Sequence, residues 1–193
     1  MERHLAAILA TDVVGYSRLM GMNESGTLAQ LMAHRNEFID PKIAAHRGRI
    51  VKLMGDGALV EFASVVDALA CAIDIQRGMR ERNQDVPAAQ RIDFRMGINL
   101  GDVIVEGDDI YGDGVNVAAR LEGLAEPGGI CISDSVRTAA GNKLPIDYEF
   151  MGEQEVKNIA EPVRTYHARL QAGATLPEPA GGMPSQRRHP EYI

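Results

Sequence analysis

The chain has 193 residues, 45% of them hydrophobic and 24% charged, which excludes a disordered polymer and allows one domain with a well-filled core. Its 20 basic and 27 acidic residues give a net charge of −7, the wrong sign for a generic binder of nucleic acid or anionic membrane. Two cysteines, Cys71 and Cys131, each inside an apolar segment, read as free buried thiols of a reducing cytosol and not as a disulfide framework.

No apolar run approaches the ~20 residues of a membrane span. The opening segment, MERHLAAILATD, meets an acid at Asp12 and is no signal peptide. The expected location is cytoplasmic. The five histidines are scattered, and none has metal-ligand spacing to another.

In chain order, LAAILATDVVGY reads as a buried strand that ends at Asp12 and turns through Gly15. A helix is expected from about Glu24, with Leu28, Leu31, Met32 and Ile39 on one face. Asp40-Pro41 reads as a break, with Asp as N-cap and Pro opening a second short helix that Gly48 ends. RIVKLMG and GALVEFA form a hairpin. Ser64, with Asp67 three residues on, caps a helix whose inner face is Val66, Leu69, Ala70 and Ile73. RIDFRMGIN alternates, with Ile92, Phe94, Met96 and Ile98 inward and Asp93 and Arg95 outward; Gly101 then leads to a second strand, VIV. GVNVAARLEGL returns to helical spacing, with Val117, Leu121 and Leu124 on one stripe. Short strands are expected near 129–132, 146–151 and 163–169, and a helix at about 134–141. Strand pairs joined by hairpins exclude a purely parallel sheet. An α+β sandwich, one mixed sheet with helices packed on it, fits. Residues 1–170 form the expected domain, and 171–193, with four prolines and three glycines, read as a tail or linker.

Four groups of residues could carry chemistry. Asp12 ends a strand and Asp56 sits on the Gly-Asp-Gly tip of the hairpin. If those strands are neighbours, both carboxylates emerge at one sheet edge, a good site for Mg²⁺, which takes one or two carboxylates plus phosphate oxygens. Taken alone, Asp56 also fits a plain Asp-Gly turn and Asp12 a helix cap. The turn in DVVGYS can point backbone N–H groups at a phosphate, or be an ordinary glycine turn. In DDIYGDGVNVAARLE, Asn116 and Arg120 are four apart and share a helix face, which fits a binding surface or plain solvated polarity. Lys52, finally, places a cation on the hairpin strand.

Together these stretches resemble the catalytic domain of the class III nucleotidyl cyclases, in the soluble bacterial form that heads a longer chain. ILATDVVGYSRLM resembles the first metal motif, VKLMGDGALVEF the second, DDIYGDGVNVAARLE the stretch that holds base and sugar, and GEQEVKNIAEPVRTY the closing lysine motif. They cover residues 5 to 170 in the family's order and spacing. The resemblance implies an antiparallel-rich α+β sandwich related to the polymerase palm. It implies two Mg²⁺ or Mn²⁺ ions on Asp12 and Asp56, helped by the Val13 carbonyl. The backbone of Val14, Gly15, Tyr16 and Ser17 would cradle the β- and γ-phosphates. Lys52 and Asp109 would read the base, Asn116 would orient the ribose, and Arg120 and Lys157 would meet phosphate charge. The active form implied is a head-to-tail homodimer with ATP as substrate, and a longer natural chain could append a regulatory domain.

Lysine offers a donor for adenine N1 and aspartate an acceptor for the C6 amine, whereas guanine would oppose donor to donor and acceptor to acceptor. The pair Lys52/Asp109 is therefore the adenine pair; cyclases that take GTP carry a glutamate and a small residue there. The alternatives are a guanylate cyclase and a catalytically silent nucleotide-binding regulator. Two positions depart from the family pattern: Asp102, where some members carry arginine, and Asn158, where glycine is usual.

Overall fold

The structure, a computed structural model, describes residues 2–179. Eight strands form one sheet: β1 (Glu2–Val13), β2 (Arg49–Met54), β3 (Gly57–Phe62), β4 (Phe94–Glu106), β5 (Asp109–Tyr111), β6 (Ile130–Ser133), β7 (Ile146–Gln154) and β8 (Val163–Leu170). Their order is β2-β3-β1-β4-β6-β8-β7, with β5 paired to β4, and among the described residues only the β4–β6 pairing is parallel. The expected mixed, antiparallel-rich sheet with flanking helices is what is found.

β1 reads as continuous apolar sequence because both of its faces are covered. Ala7, Leu9 and Val13 join a core shared with α4 (Val65–Asn83), while Ala6, Ile8 and Ala10 join a second core that includes Ala118 of α5 (Asp113–Leu124). Ser64 caps α4 as expected, its hydroxyl accepting from the Asp67 N–H at 3.3 Å. Both cysteines are free and buried, and burial pushes the Cys131 thiol up to about 12.

The segment after β1 departs from expectation. A short helix, α1 (Tyr16–Met22), precedes α2 (Glu24–His34), where the sequence reading saw only a turn. Leu31 and Ile39 are buried, but Leu28 and Met32 face solvent. Asp40-Pro41 does not break the helix. The chain passes from α2 through a π-turn, Arg35–Ile39, into α3 (Asp40–Ala45), and Asp40 has helical dihedrals. The wider turn absorbs the proline: the Asp40 N–H reaches back five residues to the Arg35 carbonyl, and Pro41 has no N–H to place. At the other end of α3 the left-handed residue is Arg47, at φ 62°, and not Gly48.

β4 is one strand of 13 residues with no interruption at Gly101, because β1 pairs with it along the whole length from Val13↔Phe94 to Glu2↔Val105. Near its start, Gly97 lets α5 lie directly on the strand: a Cβ there would stand 2.2 Å from the Glu122 nitrogen and 2.5 Å from the Ala118 oxygen. The contact fixes the height of α5, and with it Asn116 and Arg120, above the sheet.

β8 ends at Leu170, and residues 171–179 carry no helix or strand. The rest of the expected tail, 180–193, lies outside the described residues. α6 (Asp134–Ala140) and strands β6 to β8 fall where expected, and β5 is a short strand the sequence reading did not separate from its loop.

Candidate active site

The hairpin β2–β3 turns through two residues, Gly55 and Asp56, between the paired Met54 and Gly57. Only Gly55 has positive φ, at 58°, so the tip is not the Asp-Gly turn in which both central residues are left-handed. β3 runs antiparallel to β1 with Thr11↔Ala58 as the last pair, which carries the tip beside the end of β1. There the Val13 N–H donates to Asp56 Oδ2 at 2.9 Å. Asp12 lies inside β1 and does not cap α1, whose N-cap, Gly15, makes no side-chain cap bond. The two aspartates thus meet at one sheet edge, as the sequence suggested.

Three residues that the sequence reading did not single out hold this edge. Arg95, directly opposite Asp12 in the β1–β4 register, grips both carboxylate oxygens: Nε to Oδ1 at 3.1 Å and Nη2 to Oδ2 at 2.7 Å. The same Nη2 lies 3.4 Å from Glu122 Oε1 on α5. Burial, with the neighbouring Asp12 second, pushes the Glu122 carboxyl well above its usual range. Arg35, in the π-turn, donates through Nη2 to the Asp56 carbonyl at 3.0 Å and so ties the tip from below. Strand alternation already put Arg95 outward; what it could not give was the register that sets it against Asp12.

The edge suits a hard cation that shares its ligands with a substrate. The donors are carboxylate oxygens, and among the described residues no group of three or more His, Cys, Asp or Glu could hold a metal ion unaided. Two carboxylates completed by phosphate oxygens is the usual arrangement for Mg²⁺.

The second cluster pairs Lys52 and Asp109. Lys52 Nζ stands 3.3 Å from Asp109 Oδ2, and also 5.7 Å from the centre of the Tyr111 ring. The Ile110 N–H, then the Tyr111 hydroxyl and Lys52, hold the Asp109 carboxyl below the usual carboxylate range. Asp109 is therefore an ionised acceptor at neutral pH. An ion pair this open contributes little to stability, so stability is a poor reason for its presence.

The remaining candidates stand apart. Asn116, Arg120 and Lys157 are exposed and have no side-chain hydrogen bond or ion pair among the described residues. Asn116 lies six residues before Glu122, about 9 Å along α5 from the Asp12 edge. Of the turn residues, Val14 has its N–H taken by the Asp93 carbonyl at 2.8 Å, a correction to its expected place among the phosphate donors. Gly15, Tyr16 and Ser17 lead into the first turn of α1. Asn158 has φ 68°, so its turn needs a left-handed residue, and asparagine substitutes there for the family's usual glycine. Asp102 is exposed on the wall of a groove of about 420 Å³ that also takes in Asn99, Gly114 and Ile159.

A family model, that of the adenylate and guanylate cyclase catalytic domain, matches residues 2–169. The chain is 49% identical over 166 residues to "Putative adenylate cyclase 3" of Rhizobium meliloti, covering 86% of this chain and 28% of that protein. It thus spans little more than a quarter of that relative's length. Among solved structures, the adenylate/guanylate cyclase/hydrolase of Silicibacter pomeroyi superposes with a TM-score of 0.82 at 48% identity, covering 86% of this chain and 96% of that one. The guanylyl cyclase Cya2 superposes at 0.76 with 27% identity, covering 93% and 98%. With the family model spanning nearly all of the described chain, and a relative 49% identical over 86% of it, the chain belongs to the adenylate and guanylate cyclase catalytic-domain family.

Proposed function

We propose that the chain is an adenylate cyclase that converts ATP to 3′,5′-cyclic AMP and pyrophosphate in the cytoplasm, at sites shared between two copies of the chain. The observation that carries the choice of ATP is the Lys52–Asp109 pair at 3.3 Å. The ammonium donates to adenine N1, and the ionised carboxylate accepts from the adenine amine. Tyr111, against both, narrows the orientations open to them.

The reaction joins the ribose 3′-oxygen to the α-phosphorus and releases pyrophosphate. Two Mg²⁺ or Mn²⁺ ions held by Asp12, Asp56 and the Val13 carbonyl would supply activation of the 3′-hydroxyl and charge neutralisation on the leaving group. Asn116 orients the ribose. Arg120 and Lys157 meet the charge that grows on the phosphates in the transition state. The N–H groups of Gly15, Tyr16 and Ser17 point at the β- and γ-phosphates.

The same reading divides the labour between two chains. One copy brings Asp12 and Asp56 to adjoining ends of β1 and the β2–β3 hairpin and pairs Lys52 with Asp109, but leaves Asn116, Arg120 and Lys157 exposed and unpartnered among the described residues. A head-to-tail partner brings those free side chains, with its base-reading pair, to the aspartates of the first chain. Residues 1–170 act as the catalytic unit. Residues 171–193 act as a tail or as the link to a regulatory domain in a longer chain, in keeping with the short share of its relative that this chain spans.

Replacing Lys52 by Glu and Asp109 by Ala together tests the base assignment. The double variant is expected to lose its preference for ATP over GTP. An unmodified protein that makes cyclic GMP faster than cyclic AMP overturns the assignment.

A further inference from the structure

Asp12 is not a free carboxylate waiting for an ion. Arg95 spends two N–H donors on it, one per oxygen, at 3.1 and 2.7 Å. A fork of this kind takes one of the two lone pairs on each oxygen and sets a positive charge where a cation would approach. Nothing in the fold needs it as a staple, since β1 and β4 are already joined through twelve consecutive register pairs. Nor does Arg95 serve one partner only. Its Nη2 reaches Glu122 on α5 at 3.4 Å, so one guanidinium faces carboxylates from two elements while Asp56 sits on the adjoining hairpin tip. The guanidinium is therefore the positive charge among three neighbouring carboxyl groups, Asp12, Glu122 and Asp56.

We propose that Arg95 is the built-in counter-cation of this edge: without a metal it holds both oxygens of Asp12, and a divalent ion loads by displacing one arm of the fork, leaving Arg95 on Glu122. Arg95 thereby sets the metal affinity and keeps Asp12 in position when the site carries no ion. The inference rests on the reading of Asp12 and Asp56 as metal ligands. It adds a positioning residue and a loading step to that reading. Two consequences separate it from a structural ion pair. Neutralising Arg95 removes the unit charge held against Asp12 and would tighten metal binding by about tenfold, because like charge no longer opposes loading. Keeping the charge but losing the fork changes affinity far less.

The test is Mn²⁺ binding by the full chain without nucleotide, followed through the EPR signal of free Mn²⁺, for the unmodified protein and for Arg95→Met, Arg95→Lys and Asp12→Ala. Arg95→Met is expected to lower the Mn²⁺ dissociation constant about tenfold, Arg95→Lys to stay within about threefold of the unmodified chain, and Asp12→Ala to abolish binding. If Arg95→Met binds Mn²⁺ no more tightly than the unmodified protein, or not at all, the counter-cation is wrong while the metal site stands. If Asp12→Ala leaves binding intact, the metal reading fails and takes this inference with it. A variant that does not fold is replaced by a measurement on the unmodified chain. The Arg95 Nε–H resonance is expected to move as Mg²⁺ is added, in step with occupancy, and a resonance that does not move at saturating Mg²⁺ overturns the displacement.

Discussion

Gly97→Ala is the most demanding perturbation of the fold that positions the site. The new Cβ would stand 2.2 Å from the Glu122 nitrogen, where ordinary contact begins at 3.4 Å, so α5 must lift by roughly 1.2 Å. The obstructing atoms are backbone, and no rotamer change relieves them. Overpacking of this kind costs about 1–3 kcal/mol, and with two backbones opposed the upper half of that range applies. For a chain of this length that corresponds to a melting temperature lowered by roughly 5–10 °C. Activity should fall further than stability, because α5 carries Asn116 and Arg120, and a displacement near 1 Å can cost about 10²-fold in rate. Gly123→Ala is the control. It lies on the exposed side of the same helix with nothing within 4 Å, and it is expected to be neutral or to stabilise by up to about 1 kcal/mol. Calorimetry and a cyclic AMP assay read both. A Gly97→Ala protein that melts with the unmodified one and keeps most of its activity would refute the close seating of α5 on β4.

Asp56→Ala changes a turn residue, so it should keep the circular dichroism of the unmodified chain while losing nearly all cyclase activity. Retained activity in Mg²⁺ returns Asp56 to the role of a plain turn residue. A mixture of inactive Asp56→Ala and inactive Asn116→Ala chains, allowed to exchange subunits, should recover about a quarter of full activity, since half of the dimers hold one intact site. A site built within a single chain predicts no recovery. His34 is buried, its Nδ1 accepts from Arg82 Nε at 2.9 Å, and its Nε2 has no partner. Burial, then Arg82, lowers its pKa below the ordinary 6.5, so just below pH 6.5 the unfolded chain binds more protons than the folded one. This contribution to stability is complete above pH 6.5 and is lost as pH falls from there through the lower folded value. The urea midpoint should drop on acidification across that window, less steeply in His34→Gln, and equal slopes would rule the histidine out.

The strands were legible wherever apolar alternation or a capping signal was strong: the β2–β3 hairpin, the Ser64-capped α4 and the alternating start of β4 all fall where the sequence put them. The failures have local causes. Pro41 suggests a helix break because sequence reading assumes i→i−4 bonding, while the π-turn supplies a wider bond that spares the proline. Gly101 suggests a strand end, but β1 pairs straight across it. At the site, Asp12, Asp56, Lys52 and Asp109 stood out through the family motifs that carry them, since an aspartate on a hairpin tip is by itself an ordinary turn residue. Arg95, Glu122 and Arg35 were not, since each matters only through a neighbour more than 20 residues away in sequence, which pairing and packing bring into reach.

The most direct test of the central claim is a competition: purified full chain, Mn²⁺, and equal concentrations of ATP and GTP, with cyclic nucleotides and pyrophosphate quantified together. An adenylate cyclase gives cyclic AMP in excess of cyclic GMP, with one pyrophosphate for each cyclic nucleotide formed. Cyclic GMP as the main product, or no cyclic nucleotide from a folded protein, contradicts the account.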